Sequence, residues 1–126
     1  MKSKFSNYWK SSKQPRKQRK YRYNILMHLV KKTISTNLSK DLRKKYGKRN
    51  IPLKKGDEVL IMRGSFKGKK EKVTKVLPKK NKVYLTNIHN IRKDGTKTFY
   101  PINPSNLQIT ELNVDDKMRK QLIERK

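Results

Sequence analysis

Hydrophobic and polar positions alternate with a period of two over much of the second half of the chain. This period is typical of strands that bury one face, and the glycine, proline and asparagine residues between the runs mark turns. The predicted strands cover residues 58–63, 72–77, 83–85 with a continuation toward 91, 98–102 and 107–110. Several short strands joined by regular turns predict a small barrel, because closure removes the exposed edges of a sheet.

Three connections between these strands have clear turn signals. Residues 64–68 form a tight loop bounded by glycines, and residues 78–81 form a turn that begins with proline. Asp94 and Gly95 are predicted as the central residues of a hairpin turn, because both tolerate a positive φ. The strand over 98–102 is then the return strand of that hairpin.

A helical period replaces the alternation before the first strand. Ile25, Leu26, Leu29 and Val30 form a narrow apolar stripe, which predicts a short helix over about 26–35.

Leu38, Leu42 and Tyr46 form a second helical stripe. Ser39 is predicted as the N-cap of this helix, and Gly47 has the residue type that favours a C-terminal stop.

A third helix is predicted at the end of the chain, from residue 114 or 115 to residue 125. Asn113 is expected to cap it, and Met118 and Leu122 are expected to form its packing face. The predicted fold class is therefore mainly β. Residues 1–51 are expected to form a basic N-terminal extension with two short helices, residues 52–112 the barrel, and residues 113–126 the C-terminal helix.

The charge of the chain indicates what kind of partner the protein binds. The 126 residues include 36 lysines and arginines against 9 acids, a net charge of +27, and only 32% are hydrophobic. Residues 1–55 carry 19 of these cations and one acid, so they are more basic than the predicted barrel. Such a chain repels itself and has a small core, which predicts that a polyanion completes its folding. Nucleic acid is the natural polyanion, because counterion release drives basic chains onto phosphates.

The first twenty residues are polar and basic and are expected to stay extended or disordered until they meet a partner. Phe5, Tyr8 and Trp9 are the exceptions in this stretch. Two interpretations remain open for them: stacking on unpaired bases, or packing on the protein's own barrel.

Several other function classes are disfavoured. The chain has no cysteine, which removes disulfides and thiolate zinc sites. It has neither a secretory leader pattern nor an apolar run of about 18 residues, so we expect an intracellular protein that does not span a membrane. A membrane-surface protein would need a broad apolar helix face, and the stripes are too narrow.

The acids and histidines do not form a catalytic or metal-binding pattern. Asp57 is adjacent to Glu58, where the pair is expected to open a strand, and the acids at 115 and 116 are expected to complement a helix N-terminus. His28 and His89 are far apart in sequence, with no cluster of acidic or thiol ligands nearby. We therefore predict no enzymatic activity, no small-molecule substrate, no metal and no cofactor.

The segment KKGDEVLIMRGSFKGKKEKVTKV, from Lys54 to Val76, combines a strand, a basic glycine loop and a second strand. Gly64 and Gly68 let the backbone turn tightly and approach a ligand closely. Main-chain N–H groups and the surrounding cations would then hold RNA phosphate together. The alternative is an ordinary hairpin with solubilising lysines.

Four groups of residues are candidates for RNA contact. Lysine-rich contacts carry little base information, so recognition of backbone and shape is expected. The first group is the loop, with Arg63, Gly64, Lys67, Gly68, Lys69 and Lys70. The second is the N-terminal run of Arg16, Lys17, Arg19, Lys20 and Arg22. The third is the helix face with Lys40, Arg43, Lys44, Lys48 and Arg49. The fourth is Asn103, Ser105 and Asn106, which either donate to phosphate and 2′-hydroxyl groups or cap a turn.

The segment from Lys54 to Val76 resembles the KOW motif of ribosomal proteins and transcription elongation factors. The resemblance continues in several blocks over residues 19–126: LSKDLRKKYG, Pro52, GDEVLIMRGSFKG, DGT, PINPSNLQIT and DDKMRKQLIERK. Together these blocks resemble a family of large-subunit ribosomal proteins, number twenty-four in the universal naming and twenty-six in the older eukaryotic count.

The resemblance implies an SH3-like barrel with basic extensions that binds large-subunit rRNA near its 5′ end. It also implies neighbouring ribosomal proteins as partners, a role in early subunit assembly and a position by the polypeptide exit tunnel. The location implied is the cytoplasmic ribosome, and the nucleolus during assembly if the source is eukaryotic.

The chain departs from the family pattern in two places. Glu71 stands where the family usually has a glycine, and we expect its carboxylate to point away from RNA or to pair with a lysine. Many eukaryotic relatives carry a longer basic tail after the position of residue 126, so contacts of that tail are not carried over.

Two alternative functions accompany the ribosomal one. A transcription elongation factor would use its KOW domain to contact a polymerase or nascent RNA, but such factors normally carry a separate α/β domain. A general polybasic binder would bind any RNA with equal affinity.

Overall fold

The computed structural model of the protein describes residues 5, 6, 8, 9 and 12–125. Its helices are α1 (Pro15–Asn24), α2 (Met27–Thr33), α3 (Lys40–Tyr46) and α4 (Lys117–Glu124), with a 3-10 turn at Pro104–Asn106. Its strands are β1 (Ser35–Leu38), β2 (Asn50–Pro52), β3 (Glu58–Ile61), β4 (Lys70–Leu77), β5 (Lys82–Leu85), β6 (His89–Ile91), β7 (Lys97–Phe99) and β8 (Leu107–Glu111). None of the described helices has the length and hydropathy that crossing a bilayer requires.

The strands form a six-stranded mixed sheet in the order β2-β1-β8-β3-β4-β5 and a two-stranded hairpin of β6 and β7. All five strands predicted from the alternation are present, with boundaries that differ by a few residues. The third ends at Leu85, and its expected continuation is a separate strand, β6. The mainly β architecture with a C-terminal helix is thus confirmed.

Strands β1 and β2 lie in the region expected to form only an extension with helices. β1 pairs antiparallel with β2 and parallel with β8, where Leu38 lies opposite Ile109. Leu38 is therefore a buried strand residue before α3 and not part of that helix's apolar stripe. The sequence missed both strands because Leu38 also fits the helical spacing of Leu42 and Tyr46, and Ile51 is the only apolar residue of β2 before Pro52.

The core lies between these strands and draws on both halves of the chain. Leu38, Val59, Leu85, Ile88 and Ile109 are fully buried. Burying a side chain of this size contributes about 1.5–3 kcal/mol, so the N-terminal region contributes to the stability of the sheet.

The predicted closed barrel is not formed as a continuous hydrogen-bonded ladder within the described residues, because β2 and β5 are outer strands that do not pair. The segment before the 3-10 turn runs beside β5 instead. Val83 and Ile102 exchange two main-chain hydrogen bonds of 2.9 and 3.0 Å, and the Tyr100 N–H donates to the Ile88 carbonyl at 3.1 Å.

The hairpin turn at Asp94-Gly95 is confirmed, but with different geometry from the one predicted. The central residues are Lys93 and Asp94, because the Gly95 N–H donates to the Arg92 carbonyl at 3.0 Å, and Gly95 follows them with a positive φ of 81°. The Asp94 carboxylate accepts hydrogen bonds from the N–H and the hydroxyl of Thr96, at 2.9 and 2.7 Å. The side chain therefore fixes the turn that the backbone alone was expected to form.

The N-terminal helices agree with the sequence in part. α2 confirms the short helix predicted over 26–35, although it ends earlier, because Ser35 begins β1. α3 has the predicted caps: the Ser39 hydroxyl accepts from the Leu42 N–H, and Gly47 has a left-handed φ of 63°.

The prediction of an extended or disordered chain over the first twenty residues is wrong for residues 15–20, which lie in α1. Pro15 occupies the first position of this helix, where its missing N–H costs nothing. The rest of that prediction falls partly on residues 1–4, 7, 10 and 11, which lie outside the described residues.

Helix α4 is present, but it is capped and oriented differently from the prediction. Asp116, and not Asn113, caps it by accepting from the Met118 N–H at 2.9 Å. The expected packing face is wrong, since the side chains at 118 and 122 are 71% and 43% exposed. Arg119 and Ile123 are buried instead.

A buried ion pair explains this orientation. The Arg119 guanidinium binds both carboxylate oxygens of Asp57, at 2.6 and 2.7 Å, and the two side chains are 3% and 0% exposed. Asp57 also accepts from the N–H groups of Lys54 and Asn113, at 2.8 and 3.0 Å. A buried carboxylate is stable only when its lone pairs are satisfied, so Asp57 determines which face of α4 turns inward.

Candidate nucleic-acid interface

The loop between β3 and β4 is held by its own backbone. The Gly68 N–H donates to the Ile61 carbonyl at 2.9 Å, and the Lys67 N–H donates to the Gly64 carbonyl at 3.1 Å. Both glycines have a positive φ, of 96° at Gly64 and 88° at Gly68, and residues with a Cβ rarely adopt this backbone. These hydrogen bonds and the two glycines give the loop a fixed shape.

The main-chain N–H groups from Arg63 to Phe66 donate no hydrogen bond within the part of the chain that the structure describes. The amides of Lys67, Gly68 and Lys69 are satisfied inside the loop. Only the first half of the loop can thus offer main-chain donors to a ligand, because the Gly68 N–H is used within the turn.

Four cations surround these amides, and all are exposed: Arg63, Lys67, Lys69 and Lys70. None of them takes part in an ion pair with another described residue. The Lys69 ammonium lies 5.5 Å from the centre of the Phe66 ring, which itself packs 5.3 Å from the Tyr100 ring. The loop is therefore attached to the body of the protein through Phe66, while its charges face solvent.

Glu71 does not pair with a lysine. Its carboxylate accepts from the side-chain amide of Asn87 on the far side of β4, at 3.1 and 3.2 Å. The expectation of a lysine partner is therefore wrong, because a neighbouring amide already satisfies the carboxylate.

A small groove, here called the loop groove, lies between this loop and the chain before β8. Its volume is 130 Å³. It is lined by Ile61, Arg63, Gly64, Ser65, Phe66, Lys82, Tyr100, Pro101, Ile102, Asn103 and Asn106. Two groups that were separate in the sequence prediction, the loop and the asparagines, are thus brought together.

The asparagines take different parts in this arrangement. The Asn106 carbonyl accepts from the Met62 N–H at 2.8 Å, which ties the 3-10 turn to the start of the loop. The Asn103 side chain is exposed and does not cap the turn, so its amide is free to contact a ligand. Ser105 is also exposed, but it does not line the loop groove.

A second and larger groove, here called the helix groove, lies between the N-terminal helices and the turn after β4, and its volume is 850 Å³. It is lined by Arg19, Arg22, Tyr23, Ile25, Leu26, Met27, Val30, Thr33, Pro78, Lys79, Lys80, Asn81 and Asn103. Asn103 lines both grooves, so the two are adjacent at this residue. The remaining cations of α1, namely Arg16, Lys17 and Lys20, are exposed outside the groove.

The third predicted group lies apart from both grooves. Its placement on one helix face is wrong for Lys48 and Arg49, which follow the end of α3 at Tyr46. The exposed members of the group are Lys40, Lys44 and Arg49. Arg43 is half-buried, and its Nε donates to the Leu38 carbonyl at 2.9 Å. Lys48 is half-buried and donates to the Leu122 carbonyl of α4. Two of the five cations are therefore partly engaged inside the protein.

The N-terminal aromatic residues pack on the protein itself, but on α1 rather than on the β core. The rings of Phe5 and Trp9 lie 5.1 and 4.4 Å from the ring of Tyr21. Tyr8 is 91% exposed. Of the two interpretations left open, packing on the same chain holds for Phe5 and Trp9, although their partner differs from the one expected.

Within residues 12–125 and the few described before them, no three His, Asp or Glu side chains converge as a metal site would require.

Residues 12–126 match a family described as the ribosomal proteins L26 of eukaryotes together with their archaeal counterparts, which carry the number twenty-four. The match covers nearly the whole chain.

The chain belongs to this family. Membership makes it a structural, non-enzymatic component of the large ribosomal subunit, with rRNA and other ribosomal proteins as its partners. Its location is accordingly the ribosome, in the cytoplasm. The match favours this role over that of a transcription elongation factor.

Three cations that sequence reasoning missed lie on the grooves of this ribosomal protein. Lys79 and Lys80 line the helix groove, and Lys82 lines the loop groove. In the sequence they belong to an ordinary lysine-rich turn and strand start. No local pattern distinguishes them from other lysines, because their position beside α1 and Asn103 arises only from the tertiary fold.

Proposed function

We propose that this ribosomal protein binds large-subunit rRNA through one continuous surface, made of the 63–70 loop, the loop groove and the helix groove with α1. The observation that carries the proposal is the meeting of both grooves at Asn103, which joins two basic regions far apart in sequence. The resemblance of the sequence blocks supports a binding region near the 5′ end of the large-subunit RNA.

The loop supplies the most specific part of this surface. The loop has two kinds of donor that are open to solvent. These are the free main-chain N–H groups from Arg63 to Phe66 and the ammonium groups of Lys67, Lys69 and Lys70. Phosphate oxygens accept from both kinds of donor, and a preformed loop binds with less loss of conformational entropy than a mobile one. The loop therefore recognises the position of the RNA backbone and not its bases.

Helix α1 supplies the second part. It has no buried residue, and its basic side chains project into solvent along ten residues. Such a helix can lie between RNA helices and neutralise phosphates on more than one side. The exposed cations Lys40 and Lys44 of α3, with Arg49 just before β2, add a third contact away from the grooves.

The family resemblance implies a role in early subunit assembly, and the charge of the chain supports it. At +27 the free chain is strongly self-repelling, and each phosphate contact relieves part of that repulsion. We propose that it joins the rRNA early, in the nucleolus if the source is eukaryotic. Its place in the finished subunit would be near the polypeptide exit tunnel, with neighbouring ribosomal proteins against its remaining faces.

The test is binding of the full chain to an rRNA fragment from the 5′ region and to a fragment of equal length from the 3′ region. We expect tighter binding to the 5′ fragment and a steep loss of affinity with added salt. RNA crosslinks mapped from residues 64–70 should fall in the 5′ fragment.

A matched pair of triple variants sharpens this test. Lys67, Lys69 and Lys70 changed to Gln should weaken binding more than Arg92, Lys93 and Lys97 changed to Gln, although both variants remove three exposed charges. Equal losses, with no preference for the 5′ fragment, would instead identify a general polybasic binder.

A further inference from the structure

The helix groove has an apolar floor that attraction to phosphate does not require. Val30 is 5% exposed and Ile25 is half-buried at its base, whereas Leu26 and Met27 are 46% and 53% exposed at its sides. The volume of 850 Å³ lies within the range of about 300–1,000 Å³ that is typical of small-molecule sites. The groove is thus shaped for a compact group with apolar faces.

Tyr23 stands at the rim of this groove with 90% of its surface exposed. Its ring packs on no other aromatic ring among the described residues. An exposed ring beside an apolar floor provides a stacking face for a nucleobase, since every base has a π-face.

The positive charge of the rim indicates that the ligand also carries a phosphate group. Arg19, Arg22, Lys79 and Lys80 line the groove, and no carboxylate does. Apolar side chains of a protein partner would not need four cations around them. A nucleotide needs both features, an apolar surface for its base and cations for its phosphate.

The side-chain oxygen of Asn81, which lines the helix groove, lacks a hydrogen-bond donor in the described structure. This oxygen is buried, and the backbone of Asn81 has a positive φ of 51°. A buried unsatisfied acceptor is costly and uncommon in folded proteins. Rotation of the amide toward the groove would let the oxygen accept from a base amine or a 2′-hydroxyl.

We propose that the helix groove holds one unpaired nucleotide of the rRNA. The base lies between Tyr23 and the apolar floor, and its phosphates lie on the cationic rim. This inference rests on the proposed function, because the groove joins the loop groove at Asn103. It goes further in assigning a base-binding pocket to a surface otherwise described as reading only the RNA backbone.

The experiment uses three RNA hairpins of the same stem: one uninterrupted, one with a single bulged adenosine, and one with an abasic nucleotide at the bulge. The full chain should bind the bulged adenosine about five- to a hundredfold more tightly than the abasic RNA, which is the range that stacking of one base supplies. The abasic RNA keeps the flexibility of the bulge and so isolates the contribution of the base.

Two aromatic variants provide the control. Tyr23→Ala should reduce the difference to within about twofold, because it removes most of the stacking contribution. Phe99→Ala should leave the difference unchanged, because Phe99 is an exposed ring on β7 that lines neither groove. Both side chains are outside the core, so neither variant should unfold the protein.

The outcomes distinguish failure of the nucleotide pocket from failure of the proposed rRNA binding. A wild-type difference below twofold, or one that survives in Tyr23→Ala, overturns the nucleotide pocket. If binding of the 5′ fragment still depends on the loop lysines, the proposed function stands without it. If the loop variant binds that fragment as tightly as the wild type, the proposed function itself fails.

Discussion

Helices α1 and α4 lie near the two ends of the described chain and have similar basic sequences, PRKQRKYRYN and KMRKQLIE, but they differ in burial. α1 has no buried residue, whereas α4 buries Arg119 and Ile123. The difference has two causes. α4 contributes Ile123 to the core, whereas α1 has no aliphatic residue after Pro15. Asp57 also neutralises Arg119 inside the protein, while no described acid pairs with the arginines of α1. A buried acid thus gives Arg119 a structural role, whereas the cations of α1 stay exposed.

The strongest way to break this comparison is to remove the charge of Asp57. Asp57→Asn keeps the shape but leaves the Arg119 guanidinium buried without a counterion, which should lower the free energy of unfolding by about 3–5 kcal/mol. Urea unfolding of the full chain measures this value. Asp115→Asn, at an exposed acid, is the control and should change stability by at most about 0.5 kcal/mol. A small effect of Asp57→Asn would mean that α4 is not held by the pair.

The second test concerns the face that α4 buries. Ile123→Ala should cost about 2–5 kcal/mol, because it leaves a cavity beside the core. Leu122→Ala, one residue earlier and 43% exposed, should cost far less. Thermal unfolding of the two variants compares them directly, and a reversed order would restore the packing face predicted from the sequence.

The third test concerns the opposite helix. Changing Arg16, Lys17 and Lys20 of α1 to Gln should leave stability unchanged and weaken rRNA binding. The slope of log affinity against log salt concentration should fall in magnitude by about 2 to 3, since each lost phosphate contact removes about 0.7–0.9.

The matched control for this test lies on α4. Lys117, Lys120 and Arg125 are equally exposed, and changing them to Gln removes the same charge. If the slope of log affinity against log salt concentration falls equally in both triple variants, α1 contributes no more to rRNA binding than α4 does. The two helices would then differ only in their contribution to stability.

The smallest expected effect is on the pH dependence of stability. Hydrogen bonds from the Lys54 ammonium and from the Met118 N–H hold the pKa of Asp116 below its usual value of 3.8. The ionised carboxylate therefore stabilises the start of α4 above the unfolded pKa, and this contribution is lost as the pH falls through the lower folded pKa. Thermal melts between neutral and acidic pH should show a shallower acid loss in Asp116→Asn than in the wild type, and parallel curves would contradict this assignment.

Local signals predicted the elements whose causes are local. Ser39 and Gly47 bound α3 as expected, because capping involves residues only three or four positions apart. The alternation predicted β3, β4 and β8, since each has one buried face. In contrast, the pairing of β1 with β8 joins residues some 70 positions apart, and no feature within four residues announces it.

The candidate interface also has a part that was predicted from local sequence and a part that was missed. The glycines and lysines of the 63–70 loop are adjacent in sequence, so their grouping was predicted, although the satisfied N–H of Gly68 was not. Lys79 and Lys80 were missed because their neighbours, Arg19 and Arg22, come from another part of the chain. Arg119 looked like one more surface cation until its partner was known.

The sequence by itself determined the composition of this protein's surface, the family to which it belongs, and those turns and caps that depend on near neighbours. Only the tertiary structure decided which cations are buried, which amides are free, and which basic segments share a groove. The physical reason is that charge and turn propensity are properties of single residues or short segments. Burial and the pairing of charges depend on distances between residues that the chain brings together only when it folds.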